Sequence, residues 1–156
     1  SKKSDNSEIS KTPYDYYEIF DDNQAQKLTE FVWENSTVEW GVTSVDIIDH
    51  QQYQSVNYLS TSHLESQEYG AAALFKMLTT FPNRQMKYIL DYKKNEHNHP
   101  NGTACYSNAD LQFAMMIWRM FPNAVFNIYI PSKYRPIKSI LPIKFDIPET
   151  VVFKSK

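Results

Sequence analysis

Residues 95–114 read NEHNHPNGTACYSNADLQFA, and how this stretch is parsed decides the fold. The segment leading into it, MKYILDYKKNEHNH (86–99), is rich enough in β-formers to predict a long strand, central in its apolar first half. Pro100 then removes a ladder donor, and Asn101-Gly102 turns the chain. SNADLQFAMMIWRMF (107–121) follows, apolar nearly all round, and predicts a buried helix. Side chains alternate along a strand, so His97 and His99 share a face, roughly 6.5–7 Å apart at Cα. Ser107 stands where an N-cap belongs, and Asp110, three residues on, can lean back toward the end of the histidine strand. Two imidazoles and one carboxylate, with water in the fourth place, is a known catalytic zinc arrangement. Each residue also has a plainer reading. Ser107 and Asp110 alone make a near capping box, and a single strand-end histidine is usually solvated.

Working outward, DDNQAQKLTEFVWEN (21–35) carries Ala25, Leu28, Phe31 and Val32 on one stripe, an amphipathic helix with Asp21 or Asp22 near its cap. TVEWGVTSVDIID (37–49) and YQSVNYLST (53–61) read as strands of a hairpin, with His50-Gln51-Gln52 between them. SHLESQEYGAAALFKMLTTF (62–81) reads as a helix stopped by Pro82-Asn83, and AVFNIYI (124–130) as another strand. Short strands are expected around 137–145 and 151–153. The order predicts an α/β fold, a mixed β-sheet sandwiched by helices. Tyr14, Tyr16, Tyr17 and Phe20 are expected to pack on that sheet. Leu111, Met115 and Trp118, with Met116 and Met120, are expected in the core beneath the site.

The chain has 156 residues, enough for one domain with a real core. Residues 1–12 read as a polar linker or disordered start and 13–156 as the single domain. The opening Ser1-Lys2-Lys3, with no methionine and no signal-peptide core, reads as a segment of a longer polypeptide or as a processed chain. A net charge of −2 gives no general case for nucleic acid or an anionic membrane as partner. No apolar run approaches the ~20 residues that span a bilayer. Cys105 is the only cysteine, which excludes an internal disulfide and a multi-cysteine zinc site. It reads as a bystander thiol, and His50 and His63 as surface.

His97, His99, Ser107 and Asp110, with their spacing, resemble the JAMM motif of the JAB/MPN metallopeptidases. The fold implied is the JAB/MPN layout, akin to that of cytidine deaminases. The resemblance covers roughly residues 20–130 and calls for a glutamate upstream, after the first helix. Val38-Glu39-Trp40-Gly41 supplies it as Glu39, on the following strand. Glu65 and Glu68 are the competitors, read as solvated positions on early helical turns, while Glu96 alternates to the other side of its strand. The short form and VEWG are most similar to the JAB-like domains that end bacterial polymorphic (RHS-type) toxins.

That resemblance implies one zinc ion held by His97, His99 and Asp110. Glu39 would move the proton of the attacking water, and Ser107 would donate to the oxyanion. A peptide or isopeptide bond in a protein substrate would be cleaved, after delivery from the producing bacterium into a target cell's cytoplasm, with a cognate immunity protein as partner. Asn98 and Glu96 are expected at the solvated surface. Two alternatives stand beside this. One is a JAB/MPN-fold scaffold without activity. The other is a DNA-associated protein like RadC, which HNHPNG also resembles, although the acidic charge disfavours it.

Overall fold

In the computed structural model, residues 2–5, 13–80, 86–134 and 140–145 are described. They form ten elements: β1 (Lys2–Asp5), β2 (Tyr14–Ile19), α1 (Asp22–Asn35), β3 (Gly41–Asp49), β4 (Gln52–Thr61), α2 (Gly70–Thr79), β5 (Lys87–Asn98), α3 (Asn108–Met120), β6 (Val125–Tyr129) and β7 (Ile140–Ile143). The strands make one seven-stranded sheet in the order β1-β2-β4-β3-β5-β6-β7. All neighbours are antiparallel except β5 and β6, which run parallel and are joined through α3. The fold is therefore mixed α/β, as the alternation of elements predicts.

Helices cover both faces. On one, Trp33 of α1 packs with Val42 and Tyr129. On the other, Leu74, Phe75, Met77 and Leu78 of α2 pack with Val45, Ile47, Tyr58, Tyr92, Phe126 and Ile128. Asp21 caps α1 by accepting from the Gln24 N–H at 2.9 Å. The β3–β4 hairpin turns through only two residues, because His50 and Gln51 both take positive φ (49° and 71°), the geometry whose twist suits a two-residue turn. Gln52 therefore belongs to β4 rather than to the loop.

Four further expectations change. The polar opening, read as a linker, contributes β1, which pairs with β2 from Lys2↔Tyr17 to Asp5↔Tyr14. An edge strand takes its hydrogen bonds from its neighbour and needs no apolar pattern of its own. The rest of 1–12, and the strand expected at 151–153, lie outside the described residues. The second helix starts at Gly70, not at 62, because the Ser62–Tyr69 connection is polar and lies mostly exposed. The Tyr-rich segment is itself a strand, with Tyr14 and Tyr16 buried and Phe20 exposed.

The fourth change concerns α3, a surface helix rather than a buried one. It buries Ala114 and Ile117 and half-buries Phe113 and Trp118, the latter stacked on Phe145. Leu111, Met115, Met116 and Met120 are exposed, Met120 by 52%. Since α2 already fills the middle of that face, α3 can bury only one stripe. Composition shows how apolar a helix is, not how many of its sides have neighbours.

One polar contact inside the sheet is expected to matter for stability. Lys87 donates to Glu18 at 2.8 Å, and both side chains are more than nine-tenths buried. Lys87→Ala would take the ammonium away from a buried carboxylate, so unfolding in denaturant should show a loss of about 3–5 kcal/mol. A loss below about 1 kcal/mol would mean that the pair is effectively solvated.

Candidate metal centre

The parallel pairing of β5 with β6 brings the carboxyl end of β5 against the amino end of α3. His97 lies in the last turn-bound stretch of β5 and pairs with Gly41 of β3. His99 follows the strand, its N–H donating to the Tyr129 carbonyl at 2.9 Å. The Nε2 atoms of His97 and His99 stand 3.2 Å apart. Asp110 reaches both, Oδ1 at 3.1 Å from His97 and Oδ2 at 3.3 Å from His99. The Nδ1 of His99 lies 2.8 Å from the Thr103 carbonyl, so Nδ1 carries a proton and, on a neutral ring, Nε2 is left as the electron-pair donor.

A capping box holds Asp110 in this position. Ser107 Oγ accepts from the Asp110 N–H at 3.0 Å, and Asp110 Oδ2 accepts from the Ser107 N–H at 2.9 Å. The capping box read from the sequence is thus present, and it leaves Asp110 beside both imidazoles. Burial works to raise the Asp110 carboxyl, but His97, His99 and the Ser107 N–H outweigh it and hold the group well below the usual carboxylate range. Burial likewise works against a charged His99, yet Asp110 and the Thr103 carbonyl keep that ring above its ordinary value.

Glu39 is buried, 6% exposed, and a ligand atom from each of Glu39, His97 and His99 lies within 4.8 Å of the others. Those three could hold a metal ion by themselves, so two carboxylates flank one imidazole pair. Asp110 makes the closer contacts, at 3.1 and 3.3 Å, and its cap fixes it there. Glu39 stands in the segment before β3, not on the strand, since β3 begins at Gly41. Burial pushes its carboxyl up to about 7, with His97 and His99 pulling it down and Asp110 and Glu68 pushing it further up.

Asn98, expected at the surface, is completely buried between the two histidines in sequence. Its Oδ1 accepts from the Trp40 N–H at 2.6 Å and its Nδ2 donates to the Val38 carbonyl at 3.3 Å. These bonds grip the backbone on either side of Glu39. The Glu39 N–H donates to the Leu64 carbonyl and the Thr61 hydroxyl to the Glu39 carbonyl, both at 2.8 Å, which completes the hold. Asn98→Ala would take the partner of the Trp40 N–H and leave the Val38 carbonyl with the Ser36 hydroxyl alone, and denaturation should show a cost of about 1–3 kcal/mol. An unchanged midpoint would mean that Glu39 is held by other contacts alone.

Glu96 is also buried, accepting from Asn127 at 2.7 Å, and it lies on the α1 side of the sheet. Glu65 is exposed. Glu68, by contrast, is neither helical nor solvated. Its carboxylate accepts from the N–H groups of Gly70 and Ala71 and from the hydroxyls of Ser60 and Ser62. That uses its lone pairs to hold the start of α2. A Cβ on Gly41 would come 3.0 Å from Glu68 Oε2, so the glycine of Val38-Glu39-Trp40-Gly41 admits this close approach. Gly102 has φ +83°, and a Cβ there would lie 2.5 Å from the Tyr134 ring, which explains the glycine in the turn carrying Thr103.

Glu39, His97, Ser107 and Asp110 line one cleft of about 260 Å³ between the starts of α2 and α3. A family model described as JAB-like toxin 1 matches residues 17–115, which include all five residues of the site. The chain belongs to the JAB-like toxin 1 family. No curated protein and no solved structure matches it. As a JAB-like toxin domain it combines a toxin family's sequence with a mixed α/β fold and a Glu/His/His group able to hold a metal ion. No helix among the described residues is long and apolar enough to cross a membrane. Cys105, His50 and His63 are all exposed and take no part in the cleft.

Proposed function

We propose that this JAB-like toxin domain is a zinc-dependent peptidase or isopeptidase, acting as the effector of a bacterial polymorphic toxin. His97, His99 and Asp110 would hold the metal. The observation that carries this reading is the spacing of their ligand atoms, 3.1–3.3 Å. Ligands around a tetrahedral zinc at about 2.0–2.1 Å stand roughly 3.3–3.4 Å from one another, so the donor set fits the ion in kind and in span. When bound, zinc would supply Lewis acidity toward the scissile carbonyl and make a water molecule more acidic.

The chain's own groups account for the remainder. Glu39 takes the proton from the water that adds to the carbonyl carbon, and passes it to the amine nitrogen as the C–N bond breaks. Being buried and gripped through Val38 and Trp40, it needs little rearrangement to do so. Ser107 Oγ already accepts from the Asp110 N–H, which leaves its hydroxyl proton for the oxyanion. Ser107 is no nucleophile, because both nearby imidazoles face Asp110 and each other. The partners would be a protein substrate, reached by delivery into the target cell's cytoplasm, and an immunity protein that protects the producer.

The test is to express the domain and its Glu39→Gln form in bacteria and compare newly exposed protein amino termini and branched conjugates by mass spectrometry. Products formed only by the unaltered domain are expected. Identical profiles from two well-expressed, zinc-loaded proteins would overturn the reading.

A further inference from the structure

The cleft does not end at the metal-ligating groups. Beyond them its lining is apolar at Ala72 at the start of α2, Ala109 and Phe113 on α3, and Phe126 and Ile143 from β6 and β7, and polar in the Ser66–Tyr69 segment and at Asn127. Ala72 and Ala109 are exposed, so nothing in the packing demands that either be so small, and together they keep the space open. Phe126 and Ile143 are buried and form an apolar floor. A volume of about 260 Å³ falls short of the roughly 300–1,000 Å³ of pockets that enclose a whole small ligand. It suits one large side chain with its stretch of backbone. Glu68 also lines the cleft, but its carboxylate is already committed to four donors and has nothing left for a cationic side chain.

Resting on the peptidase reading above, we propose that this space is the subsite for a large apolar residue (leucine, methionine or phenylalanine) next to the scissile bond. It adjoins Ser107 and Asp110 directly, so a side chain seated there holds its own peptide group at the reacting position. Its discrimination comes from buried apolar contact, where even one methylene changes specificity by roughly 10–200-fold.

The experiment uses the zinc-loaded domain on a mixture of peptides from a digested bacterial proteome, with new amino termini sequenced. Leucine, methionine and phenylalanine are expected to be enriched on one side of the cleaved bond. Ala109→Leu and Ala72→Leu fill the space from exposed positions. Each should keep zinc content and circular dichroism while lowering the ratio of cleavage at large apolar to small residues at least tenfold. As a readout independent of turnover, immobilised Glu39→Gln protein should retain apolar peptides from the same mixture, and Glu39→Gln with Ala109→Leu should not. New termini without apolar enrichment, or with enrichment unmoved by both alanine variants, overturn the subsite and leave the peptidase reading standing. No new termini beyond those of the Glu39→Gln control would sink the peptidase reading, and the subsite with it.

Discussion

Glu39→Gln is expected to keep its metal and its fold while turnover falls by roughly 10²–10⁴-fold, the range attributed to general acid–base catalysis. The two side chains are nearly isosteric, and the backbone bonds from Asn98, Leu64 and Thr61 that hold residue 39 do not involve its carboxylate. What the amide cannot do is take a proton. Zinc stoichiometry and product formation, measured on the same preparation, separate the two properties. In a cell the change should abolish toxicity without impairing expression. Full activity in the variant would remove Glu39 from the chemistry. Loss of zinc would instead make Glu39 a ligand, an outcome its position within 4.8 Å of both imidazole nitrogens allows. Neither competitor would then serve as base from where it stands, since Glu65 is exposed and Glu68 is occupied by its four donors.

His97→Ala and His99→Ala are each expected to lose stoichiometric zinc, because each would remove one of the three protein ligands proposed above. Metal content by mass spectrometry after dialysis reads this directly. The two variants should differ in a second respect. His99 also donates to the Thr103 carbonyl, so its loss frees the turn between β5 and α3 as well. His97→Ala should therefore stay closer to the unaltered protein in thermal stability without metal. If both variants bind one zinc per chain at unchanged affinity, the ion sits elsewhere or nowhere.

Much of this site is legible in residues 95–114. Strand alternation brings His97 and His99 together, and helical lean brings Asp110 back to them, because both follow from local geometry that needs no tertiary knowledge. The Ser107 cap is readable for the same reason. Glu39 is different. Nothing local marks it, and only the resemblance singles it out among the glutamates. What fixes it is Asn98, some sixty positions away along the chain, whose burial no local pattern announces. The same limit explains Glu68, whose partners come from β4 and from the residues just after it. In the fold, β1 and β2 escape a reading by apolar pattern, since KKSD has none and YDYYEI mixes aromatic with acidic residues. Helix α3 misleads in the opposite direction, carrying more apolar surface than it has neighbours to cover.

The grip of Asn98 on the segment before β3 divides the centre mechanically. Glu39, His97 and His99 are tied into one body, because the side chain that steadies the glutamate comes from the residue between the histidines, at the end of β5. Asp110 and Ser107 belong to another body, the start of an outer helix whose exposed face has no support among the described residues. Any change in the cleft's width that leaves these bonds intact therefore falls on α3 rather than on the segment holding Glu39 and the imidazoles. His97, His99 and Asp110, holding an ion as proposed above, would be fastened across the two bodies. On the proposed reading the geometry of proton transfer would be set by the sheet, and the width of the entrance by the helix.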